Sequence, residues 1–129
     1  MEKKYLSKII ATDNEGLQVI SACCSGAEIK VADIKYLKKN KVFLIFLKRS
    51  KIETENKDKK IISVCKFEFV DQVKSKNIKQ MDLDQKLELI GIDYLKNNNS
   101  YEINLIFTNN AYITLSTEII EVTLDDQTD

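Results

Sequence analysis

The chain has no histidine, three cysteines, and 20 acidic residues against 20 basic ones. Without histidine it lacks the side chain that titrates unperturbed near pH 7. Ser-His and Cys-His nucleophile arrangements are excluded, as are the histidine-bearing zinc sites. Cys23 and Cys24 are adjacent and Cys65 lies far off. Adjacent helical cysteines point about 100° apart, and three thiols fall short of a four-ligand zinc set. The three therefore read as small buried apolar residues. Asp82 with Asp84, and Asp125 with Asp126, have the proximity of acid/base pairs or magnesium ligands. With no constellation around them they read as solvated edges. Only three glycines are present, and neither G-x-G-x-x-G nor G-x-x-x-x-G-K occurs, so no glycine-rich phosphate loop can form. No catalytic residue, metal or cofactor is indicated.

The lysines are distributed unevenly. Residues 1–80 hold 18 of the 20 basic and 10 of the 20 acidic residues, a balance of +8; residues 81–129 balance at −8. The densest basic stretch runs from Lys30 to Lys60 and includes Lys35, Lys38, Lys39, Lys41, Lys48, Arg49 and Lys51. With Tyr36, Phe43 and Phe46 interleaved, it could bind RNA through phosphate contacts and stacking. A single Arg and the lack of an RNP or helix-turn-helix motif argue against this. Ser75 between Lys74 and Lys76 is a candidate anion site. The opposite charges of the two parts also suit contact within the fold or between subunits.

These side chains must be carried by strands. Tyr5 to Ala11 reads as a first strand. Thr12 followed three residues later by Glu15 is a capping-box pattern. Leu17, Ile20 and Cys24 share one helical face, and Gly26 supplies a left-handed stop, so a helix is expected over Asp13 to Cys24. Thereafter the period becomes two. VFLIFL, Val42 to Leu47, is apolar on both faces, as a central covered strand would be. Lys48 to Lys60 reads as a charged loop, Ile61 to Phe69 as a strand that Val70 to Lys76 continues after a bend, and Asn77 to Asp84 as a loop. Strands follow from Leu87, from Tyr101, over Ala111 to Leu115 and over Ile119 to Leu124, ahead of a frayed tail from Asp125. Asn109-Asn110 suits a two-residue hairpin.

One segment occurs twice. IKVADIKYLKKN (residues 29–40) matches LELIGIDYLKNN (87–98) at Ile34/Ile92, Tyr36/Tyr94, Leu37/Leu95, Lys38/Lys96 and Asn40/Asn98. VFLIFL then answers YEINLIF, and SVCKFEF answers AYITLST. The expectation is a single α+β domain over residues 1–129, mostly antiparallel β. Two similar meander units, about 28–70 and 86–119, would pack as a barrel or sandwich with one short early helix. No apolar run approaches the roughly 18 residues a spanning helix needs, and the N-terminus lacks a secretory h-region. A cytoplasmic protein without membrane contact is expected. Its expected role is non-catalytic protein interaction through a homodimer, with RNA binding as the alternative.

Over nearly its whole length the chain resembles an uncharacterised family of small alphaproteobacterial proteins. The resemblance rests on ATDNEGLQVISA, the VADIKYL strand, FVDQVKSKNI and the closing EIIEVTL. Matching residues include Asp13, Glu15, Leu17, Val19, Ile20, Ser21, Ala22, Asp33, Leu37, Val70, Val73, Ser75, Ile78, Ile120 and Glu121. It is a domain-of-unknown-function family, so the resemblance implies no activity, cofactor or site.

Overall fold

A computed structural model describes residues 6–50 and 60–127. The first strand, β1 (Lys8–Ala11), leads into the helix α1 (Asn14–Cys24). The helix starts one residue later than the capping-box reading implies. Asp13, not Thr12, is the N-cap, and its carboxylate accepts the Gly16 N–H at 2.8 Å. Gly16 is needed there: a Cβ would sit 2.9 Å from the Ala11 Cα. Leu17, Ile20, Cys23 and Cys24 form the buried face. Gly26, at φ 83, turns the chain out.

Nine further strands follow among the described residues. β2 (Glu28–Lys30) and β3 (Ile34–Leu37) are separated by a 3-10 turn at Val31–Asp33. β4 (Val42–Ser50), β5 (Lys60–Phe67) and β6 (Val70–Lys76) complete the first part. β7 (Lys86–Asn97), β8 (Ser100–Phe107), β9 (Tyr112–Thr117) and β10 (Val122–Asp126) make the second. Asn98, Asn109 and Asn110 all take positive φ at the tight turns, where Asn is tolerated.

All ten strands join one antiparallel sheet in the order β1-β10-β5-β4-β2-β7-β8-β9-β6, with β3 attached to β4. The path is open, not a closed ring. Each part holds a three-stranded meander, β3-β4-β5 and β7-β8-β9, with closely matched registers. Ile34 faces Ile45 as Ile92 faces Leu105, and Ile45 faces Cys65 as Leu105 faces Ile113. The fourth strand of each part then leaves its own meander. β6 pairs with β9, and β10 pairs with β5.

Further sequence expectations give way here. β4 runs on through Lys48 and Arg49 to Ser50, where the charge pattern predicts a loop. β6 does not extend β5: Phe69, at φ 58, reverses the chain and sends it across to the other meander. The segment from Asp125 does not fray at once. Asp125 and Asp126 belong to β10, paired with both β5 and β1.

The core draws on both meanders and the helix. Phe43, Ile45, Leu47, Cys65 and Phe67 come from the first meander; Leu89, Ile103, Leu105, Phe107 and Leu115 come from the second. Leu17, Ile20 and Cys24 of α1 complete it. VFLIFL is central as expected, but unequally covered. Phe43, Ile45 and Leu47 are fully buried, whereas Leu44 and Phe46 are half-buried.

Candidate functional site

The strand pairing leaves two seams. One runs along the edge of β7 beyond its short pairing with β2, and the chain itself seals it: Gly26 N–H donates to Leu89 O at 2.7 Å, and Leu89 N–H donates to Ala27 O. Further along, Ile92 N–H donates to the Ser21 hydroxyl of α1 at 2.8 Å.

The other seam lies between β3 and β6, and it is wedge-shaped. At its narrow end Val70 N–H donates to Lys41 O at 2.8 Å. The Tyr36 hydroxyl donates to Val70 O at 2.9 Å, and Lys41 Nζ meets Asp71 Oδ1 at 2.9 Å. That partner, through hydrogen bond and charge, holds the exposed Lys41 ammonium above its usual pKa. At its wide end the segment 77–85 crosses the gap. Val31 N–H donates to Gln85 O, and Ala32 N–H donates to Leu83 O.

Between these ties lies a cleft of about 330 Å³, within the range of small binding pockets. Val31, Ala32, Ile34, Tyr36 and Phe43 line one wall; Val73, Ser75 and Ile113 line the other. Ile78, Gln80 and Leu83 close over it. The lining is mainly apolar. Its polar element is Gln80 Nε2 donating to Ser75 Oγ at 3.0 Å. Beside it the segment 77–85 exposes Leu83 by 57% and Met81 by 95%.

The sequence candidates fall differently. Lys74, Ser75 and Lys76 do not converge: Ser75 lines the cleft, while alternation along a strand turns its two neighbours to the other face. The basic stretch is also divided. Lys35 lies on β3, and Lys38, Lys39 and Lys41 lie at the β3–β4 turn. Lys48 borders a separate depression that also contains Glu28 and Asp33. Lys51 lies outside the described residues. Arg49 is the clear correction: its side chain is wholly buried and cannot reach a phosphate. Phe43 is buried too, so it provides no stacking surface.

What claims Arg49 is a buried polar cluster. Arg49 Nη2 reaches Asp126 Oδ1 at 2.9 Å, and its Nε donates to the Ser63 Oγ at 3.0 Å. Ser63 donates to the same carboxylate oxygen at 2.6 Å, and Ser7 N–H donates to the other at 2.8 Å. Burial pushes the Asp126 carboxyl up. Ser63, the Ser7 amide and Arg49 together outweigh it and hold the group below the ordinary carboxylate value. The sequence hid this cluster because Asp126 reads as part of an acidic tail.

The cysteines lie in the core. The thiol of Cys65 is pushed well up by its hydrogen bond with Cys24 and by burial, opposite to what a nucleophilic thiol needs. Among the described residues no three or more of His, Cys, Asp and Glu gather as a metal site would require. No described helix is long and apolar enough to cross a membrane.

The site is thus an apolar cleft between two strand edges on an open antiparallel sheet, in an α+β protein with a single α-helix among the described residues. The chain belongs to the family of proteins of unknown function designated DUF2948, whose model matches residues 7–129. Comparison with curated proteins finds no match, and neither does comparison with solved structures.

Proposed function

We propose that the protein is a non-catalytic interaction module whose contact site is the cleft between β3 and β6 together with the segment 77–85. The observation that carries this reading is exposed apolar surface at an apolar cleft: Leu83 lines the cleft with Val73, Ile34 and Ile78 yet is largely exposed, and Met81, two residues before it, is exposed almost completely. Flexible, polarizable Met is favoured at surfaces that adapt to a partner. Lining of this kind offers shape and apolar area but little to activate a nucleophile or move a proton.

The same reading treats the chain as two quasi-equivalent meander units that wrap towards a barrel and exchange their fourth strands. The matching registers support this, as do Ile34, Tyr36 and Leu37 standing where Ile92, Tyr94 and Leu95 stand in the second unit.

A comparative capture experiment tests the proposed site. Tagged wild-type protein and a Met81→Glu, Leu83→Glu variant are incubated with native lysate, and the bound proteins are compared by mass spectrometry. Both positions are exposed, so the variant keeps its fold, which circular dichroism verifies. Partners retained by the wild type and lost by the variant are expected. An identical set on both proteins rejects the seam as the contact site.

A further inference from the structure

From the strand order we infer that the β3–β6 cleft receives an extended segment of a partner protein, which adds to the free edge of β6 as a further strand and places alternate side chains in the cleft. This rests on the reading of the cleft as a protein contact and names the form the partner takes there.

Unpaired backbone selects this occupant. β6 ends the sheet path and pairs only with β9, and β3 pairs only with β4. A strand in an antiparallel ladder turns its N–H and C=O groups to its two sides by turns, so a strand paired on one side keeps half of them for the other. The narrow end of the seam is tied, with Val70 N–H on Lys41 O and the Tyr36 hydroxyl on Val70 O. Past that tie, among the described residues, no backbone hydrogen bond joins residues 71–76 or Ile34–Leu37 to anything outside the β9 and β4 ladders. Edge groups left in this way are a template for another extended chain. A helix cannot answer them, because its own N–H and C=O groups are bonded within it.

The lining suits the same occupant. Ile34 and Tyr36 alternate along β3 as Val73 and Ser75 do along β6, and with Phe43 and Ile113 they make a mainly apolar surface. A strand of about five or six residues turns every second side chain to one face, two or three in all. The cleft volume of about 330 Å³, roughly eleven water molecules at about 30 Å³ each, holds that many aliphatic groups. So short a strand has a precedent in the molecule: β1, of four residues, adds to β10. In strand addition, main-chain hydrogen bonds supply affinity and pockets for alternate side chains supply specificity. The partner segment therefore carries an aliphatic residue at every second position.

The test uses the full-length protein and a phage-displayed library of random peptides of about twelve residues, longer than a typical strand, which imposes no conformation. Enriched sequences are expected to alternate aliphatic and polar residues with period two. In a synthetic copy of one of them, N-methylation of every second amide removes the donors along one edge. At least one of the two alternate methylated sets should weaken binding by at least about tenfold, as the loss of several main-chain hydrogen bonds requires. The bound peptide should also slow amide hydrogen exchange at alternate residues within 71–76. Apolar residues recurring at i, i+3, i+4 and i+7, no enrichment over an unrelated control protein, or indifference to both methylated sets overturns the strand inference. Binding that leaves exchange in β6 unchanged overturns the location. If the strand signature fails while capture from lysate still depends on Met81 and Leu83, the strand inference falls and the contact site stands.

Discussion

At the scale of single residues, the buried Arg49–Asp126 pair governs the largest expected effects. An ion pair withdrawn from water stabilises little in itself, but removing one partner strands the other charge. Arg49→Met should therefore cost about 3–5 kcal/mol, read from urea unfolding midpoints at pH 7. The double variant Arg49→Met, Asp126→Leu should recover most of that loss, because the interior then holds no lone charge. The sign of the pH dependence follows from the depressed Asp126 carboxyl. A lowered folded value adds stability that is present above the unfolded value of about 3.9 and is lost as pH falls through the folded one. Asp126→Asn should thus be less stable than the wild type at pH 7, with the gap narrowing as pH drops below about 4. A gap that stays constant from pH 7 to pH 2 would show that the carboxylate does not supply this linkage. Gly16 is constrained by space, not by φ. Gly16→Ala should destabilise by about 1–3 kcal/mol through overpacking against Ala11, although Ala is the better helix former.

At the scale of elements, α1 is held by its docking on β7. It spans only 11 residues, too short to persist alone in water. Ser21→Ala leaves the Ile92 amide without its partner and should cost about 1–3 kcal/mol. Faster hydrogen exchange at Ile92 than at Leu105 would check that the loss is local. The sequence exposed some of this architecture and concealed the rest. Helix position, central VFLIFL and the Asn turns are local matters of periodicity, capping and positive φ, so they are readable from neighbours along the chain. The exchange of β6 and β10 is not local. Val70 to Lys76 alternates equally well as an extension of β5 or as a strand beside β9, and only Phe69's unfavourable φ separates the two. The cleft was hidden for the same reason. Ile34, Val73 and Ile78 look like ordinary core positions, and the void between them follows from the strand order. Ser75 did stand out, but for its lysine neighbours, which point elsewhere.

At the scale of the molecule, strand exchange makes each part depend on the other. Residues 1–80 contain β6, whose strand partner β9 lies beyond them, and β5, which loses β10. Residues 81–129 contain the β7-β8-β9 meander but lose α1, which covers its edge. Neither fragment can bury the shared core of Phe43, Phe67, Leu105 and Leu115. Each should therefore lack the cooperative unfolding transition of a folded domain. Mixed, they should reassemble, because the cut falls in the segment 77–85, outside every strand. Opposite charge then assists: the fragments carry +8 and −8, so encounter should slow as salt rises and the Debye length shrinks from about 10 Å at 0.1 M to about 3 Å at 1 M. Stopped-flow mixing followed by circular dichroism measures both features, and the intact chain should show one transition by every probe. Cooperative folding of residues 1–80 alone would mean that its β3-β4-β5 meander is self-sufficient. The crossing of β6 and β10 would then join two finished units, and the zero net charge of the whole chain would have no part in bringing its halves together.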